Sequence, residues 1–592
     1  MSSTSSTSES SGTPVKDLEK SGAVNTNNQA NNHTYNSNNV YGNNNNVYGG
    51  NNNYNNAPVA DIEKNGQVNN NINPVTSKPL VLGNIVEDPI EATVLYSSDN
   101  PCHPVHWNTF YRYFLVIVYC SLEVYVSMTS TTYVAAEVLV EAKWNVKPQV
   151  ATLGQSMFIL GNAIGPAFMG PLSDISGRKW VYVFSTLLYA IFNFGTAYAR
   201  NMPMMVIFMF LIGMWGSCSL CNVAGTVGDL FGVTDEASQA LALFVAGANI
   251  GPSIGSVVGE AIVENDSLGL KWIFLINIII GAVYVFGLSF VPETLPTIVI
   301  RERQSVAGKK VPNVVIREFK YFLGYFTGKK PEWAQVTPGD DACMDEENAV
   351  VIDKVDVAHE LKFVTRMAFK MMVTEPIIIF LGLFNGFAYG LLFLYLDGIF
   401  DVFVDNNGLS YMGAQCTYLN FVVGVTIVIM LTPIQTWLFK RDRLANGGIA
   451  RPEARFKLSL ITVWFFPISM YWFAFTSDGN TSYWSPIVAG AMLGVGDPIT
   501  WLAMVNFITD AYSEAGLSGS AVAGFTIPSF AIAAALAHAG VAMFDNMSTK
   551  WAFFVLATIS LCIVALTYIF YFMGPRIRAA SKLARISGTG TI

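Results

Sequence analysis

The stretch Gly170–Lys179, with the sequence GPLSDISGRK, lies between two long apolar runs. It contains a Gly-Pro pair, one acidic residue, a second glycine and an adjacent Arg-Lys pair. About twenty apolar residues flank it on each side, which is the length that a helix needs to cross the hydrocarbon of a bilayer. This arrangement predicts a tight turn between two membrane helices, on the cytoplasmic side because of its basic pair.

The composition of the whole chain indicates a membrane protein. Of the 592 residues, 52% are hydrophobic and 13% are charged, whereas soluble proteins carry roughly 25% charged residues. Apolar segments of about 20 residues recur along the chain, and a helix of this length satisfies its own backbone hydrogen bonds in lipid. We therefore predict an all-α membrane protein.

Several classes of function are disfavoured by the residue pattern. The formal net charge of -8 gives no basis for nucleic-acid binding, and the seven scattered cysteines form no disulfide framework. The sequence contains no Walker A, HExxH or GxSxG motif. We expect no enzyme activity, no cofactor and no metal site.

Twelve apolar segments are long enough to be predicted as membrane spans. They lie near residues 110–134, 150–170, 179–198, 203–226, 238–260, 272–291, 375–396, 412–438, 457–476, 485–508, 521–543 and 551–573. The predicted parts are a disordered Ser/Asn-rich tail (1–88), an N-terminal six-helix half (89–291), a central loop (292–374), a C-terminal six-helix half (375–573) and a second tail (574–592). Two six-span halves joined by a long loop are typical of carriers that rock around a midplane site.

Lys and Arg residues concentrate in the loops on one side of this predicted bundle. They include Arg178, Lys179, the central loop and residues 440–457, so both termini are predicted to be cytoplasmic. We expect a monomer in the lipid bilayer of the plasma membrane, with the vacuolar membrane as the less favoured location. Its ligands are expected to be a small-molecule substrate and protons.

Glu123 is an acidic residue in the middle of the first span. Tyr119, Ser127 and Ser130 recur with it at helical spacing, so one face of this span is polar. A carboxylate at the bilayer centre costs at least about 2.5 kcal/mol and normally faces a cavity or a partner. Glu123 is therefore a candidate for proton exchange or for binding a cationic substrate, with a structural hydrogen bond as the alternative.

Asp497, in the sequence GVGDPITW, is the second acidic residue inside a predicted span. Pro498 removes a backbone donor and opens the helix locally, which suits a gate or a binding site. The sequence leaves open whether Asp497 belongs to the centre of the protein or to an outer vestibule.

Two motifs carry a resemblance to a known family. GPLSDISGRK resembles the major facilitator signature between helices 2 and 3, and GANIGPSIGS (residues 247–256) resembles the antiporter signature of helix 5. Further stretches are similar to the fungal drug:proton antiporters with twelve spans, the group of polyamine exporters and cycloheximide-resistance carriers. They are DNPCHPVHW (99–107), WIFLINIIIG (272–281), PETLP (292–296), EPIIIFLGLFNGFAYG (375–390), PEAR (452–455) and MGPRIRAASK (573–582).

The resemblance implies the major facilitator fold and a role for particular residues. It implies a conformational latch made of Gly170, Asp174, Gly177, Arg178, Lys179 and a partner, Asp229, at the end of span 4. It implies an antiporter motif at Gly247, Gly251, Pro252 and Gly255, where small residues at every fourth position also predict close helix packing. Spans 1, 4, 7 and 10 line the cavity in this family, which adds the candidates Trp215, Asn222, Asn385, Tyr389 and Tyr395.

One departure bears on energy coupling. Helix 4 of the family carries Arg-Phe-Leu-Gln-Gly, whose arginine is implicated in proton coupling, and here Met209 and Ile212 replace the arginine and the glutamine. We expect export of a hydrophobic or cationic small molecule, of the multidrug or polyamine type, by proton antiport with alternating access. The alternatives are an uptake carrier or uniporter for a sugar derivative, a vitamin or a polyamine, and a non-transporting sensor.

Overall fold

A computed structural model describes residues 103–232, 234–265, 267–305, 357–447, 451–512, 517–581 and 583. The predicted tail 1–88, the acidic part of the central loop and the end of the second tail lie outside these ranges. Within them, all the long elements are helices, and those of the first half are α1 (Thr109–Ala135), α2 (Glu137–Trp144), α3 (Pro148–Ala151), α4 (Leu153–Ile164), α5 (Pro166–Ser176), α6 (Arg178–Ala197), α7 (Met202–Phe231), α8 (Asp235–Val263), α9 (Gly269–Ser289) and α10 (Pro296–Ser305).

The second half repeats this plan. Its helices are α11 (Val357–Thr374), α12 (Pro376–Asp397), α13 (Tyr411–Thr417), α14 (Asn420–Ala445), α15 (Ser459–Thr462), α16 (Phe465–Thr476), α17 (Trp484–Tyr512), α18 (Ser518–Asn546) and α19 (Thr549–Ala580). A short 3-10 helix, Pro452–Phe456, precedes α15.

The predicted all-α membrane fold is confirmed. Among the described residues, eleven helices or helix pairs are long and apolar enough to cross a membrane. The predicted second span is built instead from the consecutive helices α3, α4 and α5, each too short to cross alone. Pro166 interrupts the hydrogen-bond ladder there, because its nitrogen has no proton to donate, yet Gly165 keeps helical dihedral angles and the direction of the chain continues.

Three boundaries differ from the sequence expectations. Only Gly177 breaks the helix in Gly170–Lys179, so the predicted ten-residue turn is a one-residue turn with the first seven residues helical. The central loop contains the helices α10 and α11 at its ends. The last helix continues to Ala580, beyond the predicted start of the tail at residue 574.

The glycines of the GANIGPSIGS stretch pack against α1 within the same half. A Cβ atom on Gly251 would collide with Ser127 Oγ and the Val124 carbonyl, and one on Gly255 would collide with the Met128 carbonyl. Close contact of α8 with α1 therefore requires these positions to lack side chains. The close approach holds α1, and with it Glu123, in a defined position.

Each half has an extensive apolar core, and the core of the first half continues into the second half through Phe393, Leu502 and Phe530. The halves meet in two main contact regions: α4 and α5 pack on α18 in one, and α8 packs on α13 and α14 in the other. We call the end of the bundle that holds Gly170–Lys179 the latch end, and the other end the far end. The space between these two contact regions contains the candidate site.

Candidate functional site

Gly177 is the residue that turns the chain between α5 and α6. Its φ of +99° is a conformation that L side chains rarely adopt, and an added Cβ would lie 2.7 Å from Glu293 Oε2. Both the backbone and the available space therefore require glycine here. The turn places Arg178 as the first residue of α6, directed at the end of α7.

Arg178 is a buried cation held by three side chains at the latch end. It is 6% exposed, and its Nε donates to Asp229 Oδ2 over 2.8 Å. One terminal nitrogen, Nη1, donates to Ser173 Oγ over 2.8 Å and also pairs with Asp174. Gly225 leaves room for the guanidinium, since a Cβ there would lie 2.7 Å from it. The arrangement connects three helices of the first half, α5, α6 and α7.

Glu293, in the PETLP stretch, completes this cluster and was not identified from the sequence as a site residue. Its carboxylate accepts from the backbone N–H groups of Arg178 (2.8 Å) and Lys179 (3.1 Å). A carboxylate at a helix N-terminus satisfies free donors and is favoured by the helix dipole. Glu293 thus ties the segment after the sixth span to the start of α6.

The second half carries its own charged cluster at the corresponding position. Arg455 pairs with Asp510 at 2.8 Å, and Arg578 pairs with Glu453 at 2.7 Å, with both members of the second pair buried. The PEAR and MGPRIRAASK stretches supply three of these residues. In the sequence, those stretches were recognised only by their resemblance to the family. Their ion pairs were not predicted, because pairing between residues far apart in the chain depends on the fold.

A small central pocket lies between the halves, with a cavity volume of about 40 Å³ in this conformation. Both halves contribute to its lining, which places it at their interface. The main polar and aromatic lining residues are Glu123, Ser127, Ser130, Asn162, Asn249, Asn385, Tyr389, Asp497 and Trp501. In the described part of the chain, this lining contains two carboxylates and no Lys, Arg or His.

Glu123 and Asp497 reach the pocket from opposite halves, on α1 and α17. Each is 4% exposed, and Glu123 Oε2 finds no hydrogen-bond partner among the described residues. A carboxylate buried without a cation is unfavourable unless it is protonated or a cationic ligand binds it. The two acids therefore provide sites for a proton or for a positively charged solute.

Aromatic rings form one side of the same pocket. The Tyr389 ring lies 5.2 Å from Phe393 and 5.0 Å from Phe530, measured between ring centroids. Trp501 lies 5.7 Å from Phe244. Rings beside carboxylates attract organic cations through the negative potential of their faces.

A second cavity, with a volume of about 380 Å³, lies between the central pocket and the latch end. Its lining includes Asp174 and Arg178. Leu220, Trp501 and Phe530 line both cavities and therefore separate them. These three side chains form the boundary that a solute must pass between the pocket and the latch end.

The structure brings four of the eight predicted proton or substrate candidates into the pocket, namely Glu123, Asn385, Tyr389 and Asp497. Asn222 lies instead in the latch-end cavity, where its Oδ1 accepts from Ser173 Oγ over 2.8 Å. Asp497 lines the central pocket.

Three predicted lining residues lie outside the pocket in this conformation. Tyr119 stacks on Tyr182 at 4.4 Å, Trp215 meets the edge of Phe184 at 5.9 Å, and Tyr395 packs on Phe473 in the core of the second half. Each residue of a helix is rotated by about 100° from the previous one. A residue can therefore belong to a correctly predicted span and still lie on the helix face that points away from the site.

Several lining residues were missed although the sequence contained a signal. Trp501 follows Asp497 by four residues, so the two lie on one helix face. Asn162 and Asn249 are amides within apolar runs, where a polar side chain normally faces a cavity or a partner. Met209 and Ile212 are fully buried in the apolar core of the first half, so no charge replaces the family arginine at that place.

Glu137, on α2 near the far end, is a further acid that the sequence analysis did not select. Thr152 Oγ1 donates to its Oε2 over 2.9 Å, while its Oε1 is buried with no hydrogen-bond partner in the described ranges. Burial, followed by the negative charge of Asp397, raises the pKa of Glu137 well above its usual range. Burial therefore favours the neutral form of Glu137 more than it would be favoured in a solvent-exposed glutamate.

This shift predicts a pH dependence of stability. A raised pKa contributes stability that is present below the usual value of about 4.3 and is lost as pH rises through the raised pKa. The Tm of the purified protein is expected to fall between mildly acidic and alkaline pH, and Glu137→Gln should reduce this fall. Glu264→Gln, at an exposed acid, is the matched control. An identical pH profile of Tm in Glu137→Gln and the unsubstituted protein would contradict the assignment.

No group of three or more His, Cys, Asp or Glu residues that could hold a metal ion occurs in the part of the chain that the structure describes. The candidate site therefore consists of a solute pocket, two acids and a charged cluster at the latch end.

Comparison with known proteins gives three kinds of similarity. Residues 117–538 match the family model described as Major Facilitator Superfamily. An uncharacterized transporter of Schizosaccharomyces pombe is 48% identical over 84% of this chain and 85% of its own length. The vitamin B6 transporter bsu1 of the same organism is 41% identical over 83% of this chain and 86% of its own length.

More distant similarities extend to other transporters. The multidrug transporter mdrA of Aspergillus fumigatus is 26% identical over 84% of this chain and 76% of its own length. Among solved structures, the proton:xylose symporter XylE superposes with a TM-score of 0.54 at 13% identity, covering 78% of this chain and 97% of that chain. This structural likeness concerns the fold alone.

Proposed function

The chain belongs to the Major Facilitator Superfamily, and from this premise we propose that it carries a small organic solute with a basic or aromatic nitrogen, in exchange or together with protons. Its fold and its relatives are those of membrane transporters, so the chain is a transporter and not an enzyme. The observation that carries the proposal is the central pocket, where two buried carboxylates have no basic residue beside them in the described lining.

Alternating access is the mechanism that this pocket suits. The acids come from different halves, so a solute bound between them contacts both halves and is released when they move apart. Leu220, Trp501 and Phe530 would part to open the path to the latch end. The solute crosses because the pocket is exposed to one side of the membrane at a time.

Proton coupling is assigned to Glu123 and Asp497. The family arginine of helix 4 is replaced by Met209, which is buried in apolar surroundings. Protonation of either acid removes the charge that would bind a cation, so proton and solute compete for the same carboxylate. This competition links the movement of one to the movement of the other.

The charged cluster around Arg178 is assigned the role of a conformational latch. Asp174 and Asp229 take part through their ion pairs with Arg178, and Gly177 and Lys179 through the helix turn. Gly170 lies within α5, with open space where its Cβ would be. The basic residues of these loops support a cytoplasmic latch end, cytoplasmic termini and a plasma-membrane location. In the conformation described here the ion pairs are closed.

Uptake of a vitamin-like solute is the first candidate for direction and substrate. It is favoured by the 41% identity to a vitamin B6 transporter. Vitamin B6 compounds are hydroxylated pyridines, whose ring nitrogen and hydroxyl groups match a pocket with carboxylates, amides and aromatic rings.

Export by proton antiport is the second candidate, for polyamines or hydrophobic cations. It is favoured by the GANIGPSIGS stretch, whose glycines pack α8 on α1, and by the similarity to a multidrug transporter. The two carboxylates would serve a polyamine equally well, because its amino groups are protonated near neutral pH.

Transport into sealed vesicles that contain the purified protein tests both candidates. Radiolabelled pyridoxine, spermidine and tetraphenylphosphonium would each be followed under pH gradients of either direction. We expect a carrier for uptake to accumulate pyridoxine on the side away from the acid, and an antiporter to drive spermidine or tetraphenylphosphonium toward the acid side. Failure of all three probes to move faster than in protein-free vesicles would refute the proposed substrate class.

A further inference from the structure

Gln155, on α4, is a fully buried amide with unmet hydrogen bonds. Its exposed fraction is 0%, and neither its side-chain oxygen nor its nitrogen finds a partner among the residues that the structure describes. A buried amide without partners costs free energy, because the hydrogen bonds it makes with water are lost and not replaced. An apolar residue of the same size would be more stable in this conformation.

The position of Gln155 relates it to the central pocket. Ile159 and Asn162 follow it by four and seven residues, which is the spacing of one helix face. Both line the pocket, and Asn162 Oδ1 is likewise buried with no partner in the described part of the chain. Gln155 therefore continues the lining by one helical turn, about 6 Å toward the far end.

The contacts of α4 explain why Gln155 is closed off here. The helix packs on α18 of the other half, and Phe530 of α18 lines the pocket beside it. Opening of the far end during alternating access requires α4 and α18 to separate. That separation would expose the face that holds Gln155, Ile159 and Asn162 to water and to the solute.

We propose that Gln155 is a substrate-binding residue of the conformation that is open at the far end, where its amide binds a hydroxyl group or a ring nitrogen of the solute. This inference rests on the proposed transport function and deepens it. The amide both donates and accepts a hydrogen bond, so it selects for a neutral polar group. With Glu123 and Asp497 binding the nitrogen, the solute class is a hydroxylated amine or nitrogen heterocycle.

Accessibility of position 155 gives a test that needs no substrate. Gln155→Cys and Met157→Cys would be treated with the membrane-impermeant thiol reagent MTSET. The unsubstituted protein would give the background reaction of the native cysteines. Met157 is the matched control, since it lies at the same depth on the opposite face of α4 and is half-buried. We expect Gln155→Cys to react at least tenfold faster than Met157→Cys from the far side of the membrane. Equal or slower reaction of Gln155→Cys would overturn the proposal.

Replacement of the amide gives a second, independent test. In Gln155→Leu the KM for pyridoxine is expected to rise about three- to tenfold, the range for one lost hydrogen bond, while the Tm stays the same or rises. A purely structural role predicts the opposite, a lower Tm with an unchanged KM, and that result would overturn the proposal. If the unsubstituted protein moves none of the three probes, the proposed substrate class fails, whereas the thiol reaction still decides whether position 155 becomes exposed.

Discussion

Transport by the Glu123→Gln variant is expected to lose its pH dependence. The variant is also expected to bind a cationic solute roughly 10- to 100-fold more weakly. Glutamine keeps the size of the side chain and removes the proton site together with the negative charge. A hydrogen bond to a charged group is worth about 1.5–3 kcal/mol, which corresponds to this range of affinity. Glu123 is 4% exposed, so solvent screens this interaction little.

The measurement is the initial rate of solute transport as a function of pH, with protein abundance in the membrane determined in parallel. Glu260→Gln is the matched control, because Glu260 is buried to a similar extent on α8 and lies outside the pocket. We expect this control to keep the pH profile of the unsubstituted protein. If Glu123→Gln retained that profile as well, Glu123 would play no part in coupling.

Arg178→Gln is expected to cause the largest loss, with transport abolished and the free energy of unfolding lowered by about 3–5 kcal/mol. Removal of one member of a buried ion pair leaves the other charges buried without compensation, and this range is typical of such changes. Here two carboxylates, Asp174 and Asp229, would lose their common cation. Their mutual repulsion then opposes the close packing of α5 and α7.

Arg455→Gln, in the other half, is the comparison variant. The Arg455 side chain is 17% exposed and its partner Asp510 is 31% exposed, against 8% for Arg178 and 14% for Asp229. A more solvated pair loses less when it is broken, so the stability change should be smaller. The double variant Arg178→Gln/Asp229→Asn should recover part of the stability, and equal Tm values for Arg178→Gln and Arg455→Gln would contradict the role of burial.

Asp174→Asn separates a latch from a structural ion pair. The bond from Arg178 to Asp229 remains in this variant, so the protein should fold and reach the membrane. Asp174 Oδ2 also lies near Gly519 at the start of α18, at 3.6 Å from where a Cβ atom would be. Loss of the Asp174 charge removes an anion from that helix N-terminus. We therefore expect transport to stop while surface expression of the variant stays normal. Full activity would refute the latch.

The all-α fold was predictable because lipid leaves few choices to the backbone. Each apolar segment of about 20 residues must satisfy its own hydrogen bonds, which makes it a helix whatever its neighbours are. Gly177 shows the limit of this reasoning. The GPLSDISGRK stretch contains enough turn-forming residues for a ten-residue loop, yet the helix continues to Ser176 with Pro171 in its interior.

Without the family resemblance, the candidate site was predictable where a residue type is too costly to bury without a purpose. Glu123 and Asp497 were identified on this ground, and both line the pocket. Tyr119, Trp215 and Tyr395 were not distinguishable from lining residues, because an aromatic ring is equally stable in a core. Gln155 was not identified from the sequence, since a buried amide can usually form hydrogen bonds with neighbouring residues. Only the three-dimensional contacts reveal that the Gln155 amide forms none among the described residues.

By itself the sequence determined the class of protein, the approximate positions of its helices and the two acids inside the membrane. These follow from local composition, which lipid converts directly into secondary structure. Only the tertiary structure decided which helix faces meet, that Glu123 and Asp497 share one pocket, and that Glu293 joins the cluster around Arg178 of GPLSDISGRK. These depend on the rotation and packing of helices far apart in the chain, and no local pattern specifies either.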